Sequence, residues 1–266
     1  MEDRAQNESQ VLLERVSLNG ATWAEVILNR PEKGNALTMA MLERLGAIAQ
    51  EIERDREIRA VVLRGRGRFF CTGGDIAAWG AMTPHEMAQR WILPGIEVFQ
   101  RLAALPQPVI AVLQGHVFGG GMELAMAADL RIAARGVKLG VPEVSLGMIP
   151  GWMGVRRLAE TIGVARASHM ALLGTPVTAE QALDWGLVTA VAEDEADLER
   201  QTAAWRERLC ANAPAAMGLV KGLLATMRAD LRHHHANAVG EAAGTEDCAE
   251  GVRAFREKRA AEFRGR

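Results

Sequence analysis

The chain has 266 residues, 49% hydrophobic and 24% charged, which suffices for one large domain, or a domain with an appended helical segment, around a buried core. Lys plus Arg number 31 against 33 Asp plus Glu, a formal net charge of −2, so nothing predicts a nucleic-acid or anionic-membrane partner. No apolar stretch approaches the roughly 18 residues that span a bilayer.

Residues 1–10 carry Glu2, Asp3 and Glu8 without an apolar centre, unlike a secretory signal or a transit peptide. Residues 11–16 and 22–28 read as strands joined at Asn19-Gly20, a hairpin signal. The segment Asn29-Arg30-Pro31-Glu32-Lys33-Gly34-Asn35 is a loop rich in breakers. From Thr38 a helical period takes over, with Leu42, Leu45, Ile48 and Ile52 on one face. Ala60-Val61-Val62-Leu63 has the continuous apolar character of a strand buried on both sides. A loop over residues 64–75 with four glycines follows, then a mainly helical stretch to 105, interrupted near Pro84 and Pro94. Residues 108–112 form another apolar strand, followed by Gly115, the triplet Gly119-Gly120-Gly121, a helix over 122–128 and a strand over 130–133. This alternation predicts an α/β layered domain. Beyond about residue 155 the chain turns helical, with one further apolar strand at 187–191. Residues 194–266 carry amphipathic helices that pack on their own core or on a neighbouring subunit.

Several motifs are missing: a Walker A loop, a G-x-G-x-x-G after a strand, and a G-x-S-x-G elbow. His85-Glu86-Met87-Ala88-Gln89 lacks the second histidine of a zinc motif and reads as a helix start. His233-His234-His235 reads as a solvated helix surface. Cys71, Cys210 and Cys248 are odd in number and scattered, so no disulfide framework or metal site is expected, and a reducing, cytoplasmic setting fits. The chain has no tyrosine, hence no phenol to serve as acid, base or donor.

Two glycine-rich segments follow apolar strands: Phe69-Phe70-Cys71-Thr72-Gly73-Gly74-Asp75-Ile76, and Gly115-His116-Val117-Phe118-Gly119-Gly120-Gly121-Met122-Glu123-Leu124. Glycine lets backbone approach a ligand, and at a helix start it leaves N–H groups free. Two such groups converging on one oxygen make an oxyanion hole; tight turns and close-packed helix starts explain the same glycines. Glu123, inside an apolar run, must be paired, protonated or functional, or it complements the helix dipole. Pro142 holds Glu143 at a strand end or turn. Two carboxylates beside two candidate N–H donors suggest acid–base chemistry next to a carbonyl.

Taken in order, these residues resemble the enoyl-CoA hydratase/isomerase, or crotonase, superfamily. The resemblance runs from about residue 11 to 263. It rests on Asn29-Arg30-Pro31 with Asn35-Ala36-Leu37, the segments 70–76 and 119–125, and Pro142-Glu143. It continues through Gly147-Met148-Ile149-Pro150-Gly151 with Arg157-Leu158, Ala182-Leu183-Asp184-Trp185-Gly186-Leu187-Val188 and Phe255-Arg256-Glu257-Lys258-Arg259. The resemblance implies a crotonase (ClpP-like) spiral of ββα units over residues 1–193. It also implies a helical trimerisation region over 194–266, with homotrimers or hexamers built as dimers of trimers. It implies that the N–H groups of Gly74 and Gly120 hold a thioester oxygen and that Glu123 and Glu143 are the two catalytic glutamates of a hydratase. Coenzyme A enters only as part of an acyl-CoA substrate, with no separate cofactor. By the same resemblance it lies along Gly73 to Ile76, its adenine near Asp75 and Ile76 and its phosphates near Lys33 and Arg30. Phe255 and Lys258 of a neighbouring subunit reach its 3′-phosphate, and Pro142, Gly151 and Trp152 line the acyl site.

The chain departs from the family pattern at Ala77, where many hydratases carry a lysine. It departs again at Trp152 and Met153, where small residues are usual. These two either narrow the acyl pocket and alter water access or simply pack under the next helix. The region 77–94, with Trp79, Met82 and Trp91, falls where the family shapes its acyl pocket. Missing tyrosines disfavour the hydratase-lyase branch. Hydration of an enoyl-CoA is the expected activity. Isomerisation, thioester or C–C hydrolysis and decarboxylation are alternatives on the same fold, and a non-catalytic acyl-CoA-binding scaffold is a third class.

Overall fold

Asn19 and Gly20 both take positive φ, 52° and 79°, as a two-residue turn of primed type requires. They join β1 (Val11–Leu18) to β2 (Ala21–Leu28), antiparallel with Leu18 opposite Ala21. The structure, a computed structural model, describes residues 10–225 and 245–266, except the side chains of residues 248, 249, 251, 252, 255 and 256. The triplet His233-His234-His235 and the side chains of Cys248 and Phe255 lie outside the described residues.

Helix α1 (Met39–Arg54) starts at Thr38, whose hydroxyl accepts the Met41 N–H, and buries Met41, Leu42, Leu45, Ile48, Ala49 and Ile52. That is the face read from the 3.6-residue period, each large side chain contributing about 1.5–3 kcal/mol by leaving water. From here the chain repeats one unit. A longer strand is followed by a three-residue strand and then by helix: β3 (Ile58–Gly65) and β4 (Phe69–Cys71), β5 (Val109–Leu113) and β6 (His116–Phe118), β7 (Leu130–Ala134) and β8 (Lys138–Gly140). Among the described residues the long strands form a six-stranded sheet, β1-β2-β3-β5-β7-β10, where β10 is Ala190–Ala192. The short ones form a four-stranded sheet, β4-β6-β8-β9, where β9 is Val177–Thr178. Beyond the first hairpin every pairing in the large sheet is parallel, as are β4–β6 and β6–β8. This is the ββα spiral expected from the resemblance.

The apolar run at 60–63 is explained by burial on both faces. Val61, Leu63, Val109 and Ala111 face the main core, whereas Ala60, Val62, Ile110 and Val112 face a second cluster with Trp23, Ile132 and Leu198. Leu198 belongs to α6 (Glu195–Ala211), so the stretch after 194 begins against the chain's own sheet. Pro84 opens a helical segment right after Thr83, the N-cap of a Thr83–Glu86 capping box, where a proline lacks only an N–H that has no intrahelical partner. Pro94 lies inside a continuous helical run, where a π-helix over Met87–Ile92 passes into α2 (Leu93–Ala104), so the irregularity expected there is a change of helix type. The remaining helices are α3 (Gly120–Ala125), α4 (Gly154–Ile162), α5 (Val164–Leu173), α6, α7 (Pro214–Ala225) and α8 (Glu246–Glu257). The expected helix at 122–128 thus begins two residues earlier, on Gly120, and ends at Ala125, and the expected strand at 187–191 falls later, as β10 at Ala190–Ala192. The tail after α8 folds back: the Asp247 carboxylate accepts the N–H groups of Arg264 and Gly265, and Arg59 donates to the Phe263 carbonyl. No helix among the described residues is long and apolar enough to cross a membrane.

One side chain holds the first glycine loop in place. Asn35 is fully buried with φ 55°, a left-handed conformation that Asn tolerates. Its Nδ2 reaches the carbonyls of Arg66 (2.9 Å), Phe69 (2.8 Å) and Phe70 (3.1 Å), while Oδ1 accepts the Arg30 N–H at 2.8 Å. Leaving buried carbonyls without a donor costs about 1–3 kcal/mol each, so Asn35→Ala is expected to destabilise the chain by about 3 kcal/mol or more. Chemical denaturation of parent and variant checks this; a loss below about 1 kcal/mol removes Asn35 as the anchor of the loop.

Candidate active site

The three segments that meet in the site each follow a parallel strand of the small sheet: residues 72–76 after β4, 119–123 after β6, and 141–143 after β8. Residues 34–37 run beside the first of them. Thr72 N–H donates to the Gly34 carbonyl (3.0 Å), Leu37 N–H to Gly73 (2.8 Å), and Asp75 N–H to Leu37 (2.8 Å). This ladder skips the Gly74 N–H. Gly73 sits at φ 111° and Gly119 at φ 55°, conformations that only glycine adopts without strain. The loops touch: a Cβ on Gly73 would lie 3.3 Å from the Gly120 nitrogen. Gly120 is the first residue of α3, where N–H groups lack an intrahelical acceptor. Neither the Gly74 nor the Gly120 N–H donates to an acceptor among the described residues.

Glu123 lies one turn into α3 and is 2% exposed. Its Oε1 accepts two backbone N–H groups, from Trp152 at 2.7 Å and Gly154 at 2.6 Å. Met153 between them is left-handed at φ 71°, which turns both N–H groups to one side as an anion-binding nest does. A Cβ on Gly154 would fall 2.6 Å from Glu123 Oε1, so this position admits no side chain. Glu143 opens a 3-10 turn over Glu143–Leu146 behind Pro142. A Cβ on Gly119 would lie 3.2 Å from its Oε1, and its Oε2 is buried without a partner among the described residues. Burial raises both carboxyls. Glu123 is pushed up to about 7, first by desolvation and then by the Glu143 charge, against the Gly154, Trp152 and Gly151 N–H groups. Glu143 is raised by desolvation. Cys71, also close by, is no nucleophile: burial pushes its thiol up to about 12.

The glutamates and glycines line one pocket of about 120 Å³. Gly73, Gly74, Ile76, Gly120, Pro142, Gly151 and Trp152 line it too, so most residues proposed from the sequence come together here. Trp79, Met87, Trp91, Ile92, Leu146, Met148 and Ile149 complete the wall. Of these, only the tryptophans were marked by their place in the region 77–94; nothing in the pattern singles out Met87 or Ile92. The remaining proposed residues lie outside the lining. The Arg30 guanidinium pairs with Asp75 (2.7 Å) and donates to the Ala36 carbonyl (3.1 Å), and Asp75 caps the Ile76–Trp79 turn through the Ala77 N–H. Lys33 is exposed on the same loop. Lys258, also exposed, follows α8 at φ 54°, and Phe255 belongs to α8 with its side chain outside the described residues.

A family model described as enoyl-CoA hydratase/isomerase matches residues 19–266. A probable enoyl-CoA hydratase of Bacillus subtilis is 34% identical over 254 residues, 94% of this chain and 98% of that protein. A short-chain-enoyl-CoA hydratase of Clostridium acetobutylicum is 37% identical over 241 residues, 89% of this chain and 92% of the relative. The crystal structure of an enoyl-CoA hydratase from Bacillus anthracis superposes with a TM-score of 0.90 at 32% identity, covering 97% of this chain and all (100%) of the other.

The Glu123 shift has a consequence for stability. The unfolded chain ionises this carboxyl near 4.5 and the folded chain near 7. The fold therefore favours the protonated form, a contribution fully present below about pH 4.5 and lost as pH rises through about 7. Over that interval the loss is about 3 kcal/mol. Glu123→Gln keeps an oxygen for both N–H groups but never ionises. The variant is expected to be more stable than its parent at pH 8, with the difference shrinking towards pH 4. Thermal melts across that range test it; an advantage that does not vary with pH means Glu123 is not the strained ion.

Proposed function

The chain belongs to the enoyl-CoA hydratase/isomerase family, and on that premise we propose that it is an enoyl-CoA hydratase whose reaction is carried by Gly74, Gly120, Glu123 and Glu143. The single observation that carries this reading is the pair of desolvated carboxyls lining one pocket with two N–H groups that have no acceptor among the described residues. In the proposed reaction the thioester oxygen sits between the Gly74 and Gly120 N–H groups. Water adds its oxygen to Cβ, Glu123 takes the proton that leaves, and the double-bond electrons move onto the thioester oxygen as an enolate. Each donor that meets this developing charge is worth about 3–4 kcal/mol. Glu143 then gives a proton to Cα, the enolate collapses back to the carbonyl, and one water has been added.

The roles follow from the environments. Two N–H groups on Oε1 favour the ionised form of Glu123, whereas Glu143 offers an oxygen that no donor meets. Glu123, raised to about 7 by desolvation first and then by the Glu143 charge, is poised to take up and return a proton near neutral pH. An isomerase needs only one acid–base residue, and a hydrolase a route for water to the carbonyl carbon rather than Cβ. The paired glutamates favour hydration.

Coenzyme A enters as part of the substrate and no further cofactor has a role in this scheme. We assign its adenosine end to the loop holding Lys33, Arg30, Asp75 and Ile76. With Arg30 committed to Asp75, its part is to hold that loop, and Lys33 is the exposed cation facing the phosphates. Phe255 and Lys258, on the segment after residue 194, are assigned to the same ligand across a subunit interface of a homotrimer or hexamer. The setting proposed is the cytoplasm.

Glu123→Gln and Glu143→Gln are each expected to lower turnover of crotonyl-CoA by about 10²–10⁴-fold, while binding of a saturated acyl-CoA stays within a few-fold of the parent. Loss of the enoyl-thioester absorbance with one water added reports hydration, and free thiol reports hydrolysis. Full turnover in both variants sinks the assignment.

A further inference from the structure

Trp152 stands where its family usually has a small residue, and its surroundings are shaped to receive an indole. The side chain is 3% exposed. A Cβ on Gly120 would fall 2.2 Å from its Cζ3, and a Cβ on Gly95 would fall 2.2 Å from its Nε1. Gly95 lies in the first turns of α2, where glycine is about 0.5–1 kcal/mol worse than alanine. The indole explains why no side chain is present there. The ring packs against Trp91 at 5.3 Å and Phe99 at 5.2 Å between centroids. Its N–H, which must be bonded when buried, donates to the Trp91 carbonyl at 3.2 Å. That carbonyl belongs to the π-helix Met87–Ile92, a form of helix that recurs at functional sites. The benzene edge that meets Gly120 also faces the first loop: a Cβ on Gly74 would lie 3.5 Å from Trp152 Cη2, 2.9 Å from Trp91 and 3.3 Å from Trp79. One edge of the indole therefore meets both glycines that carry the N–H donors, and its N–H edge ends against helix α2 at Gly95.

A chain that runs through the pocket towards α2 meets a ring locked by a hydrogen bond and two aromatic contacts, or turns back along the rim formed by Leu146 and Ile149.

We infer that Trp152 is the specificity-determining residue of this site, closing the inner end of the acyl pocket so that the substrate class is short-chain enoyl thioesters. The inference rests on the hydratase reading for its chemistry but on the pocket walls alone for its geometry. Trp152→Ala keeps the backbone N–H on Glu123 and removes the closure, opening a channel towards Gly95 and Phe99; the ratio between acyl lengths, measured within one variant, separates this from any change in the basicity of Glu123.

The test uses the full-length protein and its Trp152→Ala and Trp152→Phe variants with crotonyl-, hexenoyl-, octenoyl- and decenoyl-CoA. The parent kcat/KM is expected to fall at least ~10-fold between crotonyl and octenoyl, and Trp152→Ala to raise the decenoyl-to-crotonyl ratio by ~10-fold or more. Trp152→Phe should lie between them, and it carries the comparison with the parent profile if the alanine variant does not fold. Butyryl- and decanoyl-CoA binding, followed by calorimetry, should show the same reversal without any reaction. A parent that turns over decenoyl- as well as crotonyl-CoA overturns the inference, as does a Trp152→Ala profile that matches the parent's. If no enoyl ester is hydrated at any length while the binding order still reverses, the hydratase reading fails and the role of Trp152 stands.

Discussion

Oε1 of Glu123 receives the Trp152 and Gly154 N–H groups inside a pocket walled by indoles. A carboxylate this buried is tolerated only if its charge is met by hydrogen bonds or removed by a proton. The loop 151–154 supplies the first remedy, and its residues follow from that demand. Gly154 lacks a side chain because its Cβ would collide with Oε1, and Met153 accepts a left-handed backbone at about 1–2 kcal/mol so that the N–H groups on either side face one oxygen. The same turn directs the Trp152 side chain between α2 and α3. One interaction thus fixes the proposed base, the pocket floor and the start of α4 at Gly154.

The spiral explains why these parts are together at all. Each ββα unit ends its short strand at the same edge of the small sheet, so Cys71, Phe118 and Gly140 deliver their following segments side by side. Ligand sites in α/β folds gather beyond the carboxyl ends of parallel strands for this reason. The first two of these segments bring the glycines, the second and third the glutamates. The first needs extra support, because residues 66–75 have little regular structure of their own. Asn35 and the ladder to residues 34–37 provide it, and the Arg30–Asp75 pair, half-buried, closes the far end.

Much of this was readable in the amino-acid sequence, and the reasons it was or was not are physical. Helix α1 declared itself because its buried face repeats over sixteen residues (16) with a cap at Thr38. The strand at 60–63 was visible as an uninterrupted apolar run because both its faces are covered. Strands β4, β6 and β8 have three residues each, too few for alternation to register, so the small sheet was hidden although its glycine-rich continuations were conspicuous. Pro84 reads as a break but opens a helix, since the same missing N–H suits both, while Pro94 marks the change from π- to α-helix. At the site, Glu123 stood out as a charge in an apolar run. Gly154 and Gly95 did not stand out, because their necessity lies in atoms brought from 31 and 57 residues away; Asn35 belongs to a segment that carries the resemblance, but its partners, up to 35 residues away, were hidden. Arg30 and Asp75 were each marked by the resemblance as residues near coenzyme A, but their pairing with one another, across 45 residues, was not legible.

The indoles that limit the pocket are also what make its carboxyls unusual. Water excluded by Trp79, Trp91 and Trp152 is water that no longer solvates Glu123, and desolvation is the largest contribution raising that carboxyl to about 7. Acyl length and basicity are therefore not independent properties of this site. A wider pocket admits longer chains but also admits solvent to the base, drawing it back towards an ordinary carboxylate and away from the pH at which proton transfer from water is most effective. A site closed by a rigid ring avoids that loss even before substrate arrives, because the apolar wall is built from the protein itself. In an open-floored pocket the acyl chain would have to supply the same exclusion. The glycines at 95 and 120 are the counterpart of that choice: a Cβ on either would collide with the Trp152 indole, whereas at Gly74 it would collide with Trp91. Gly74 and Gly120 also carry the N–H groups proposed to hold the thioester carbonyl.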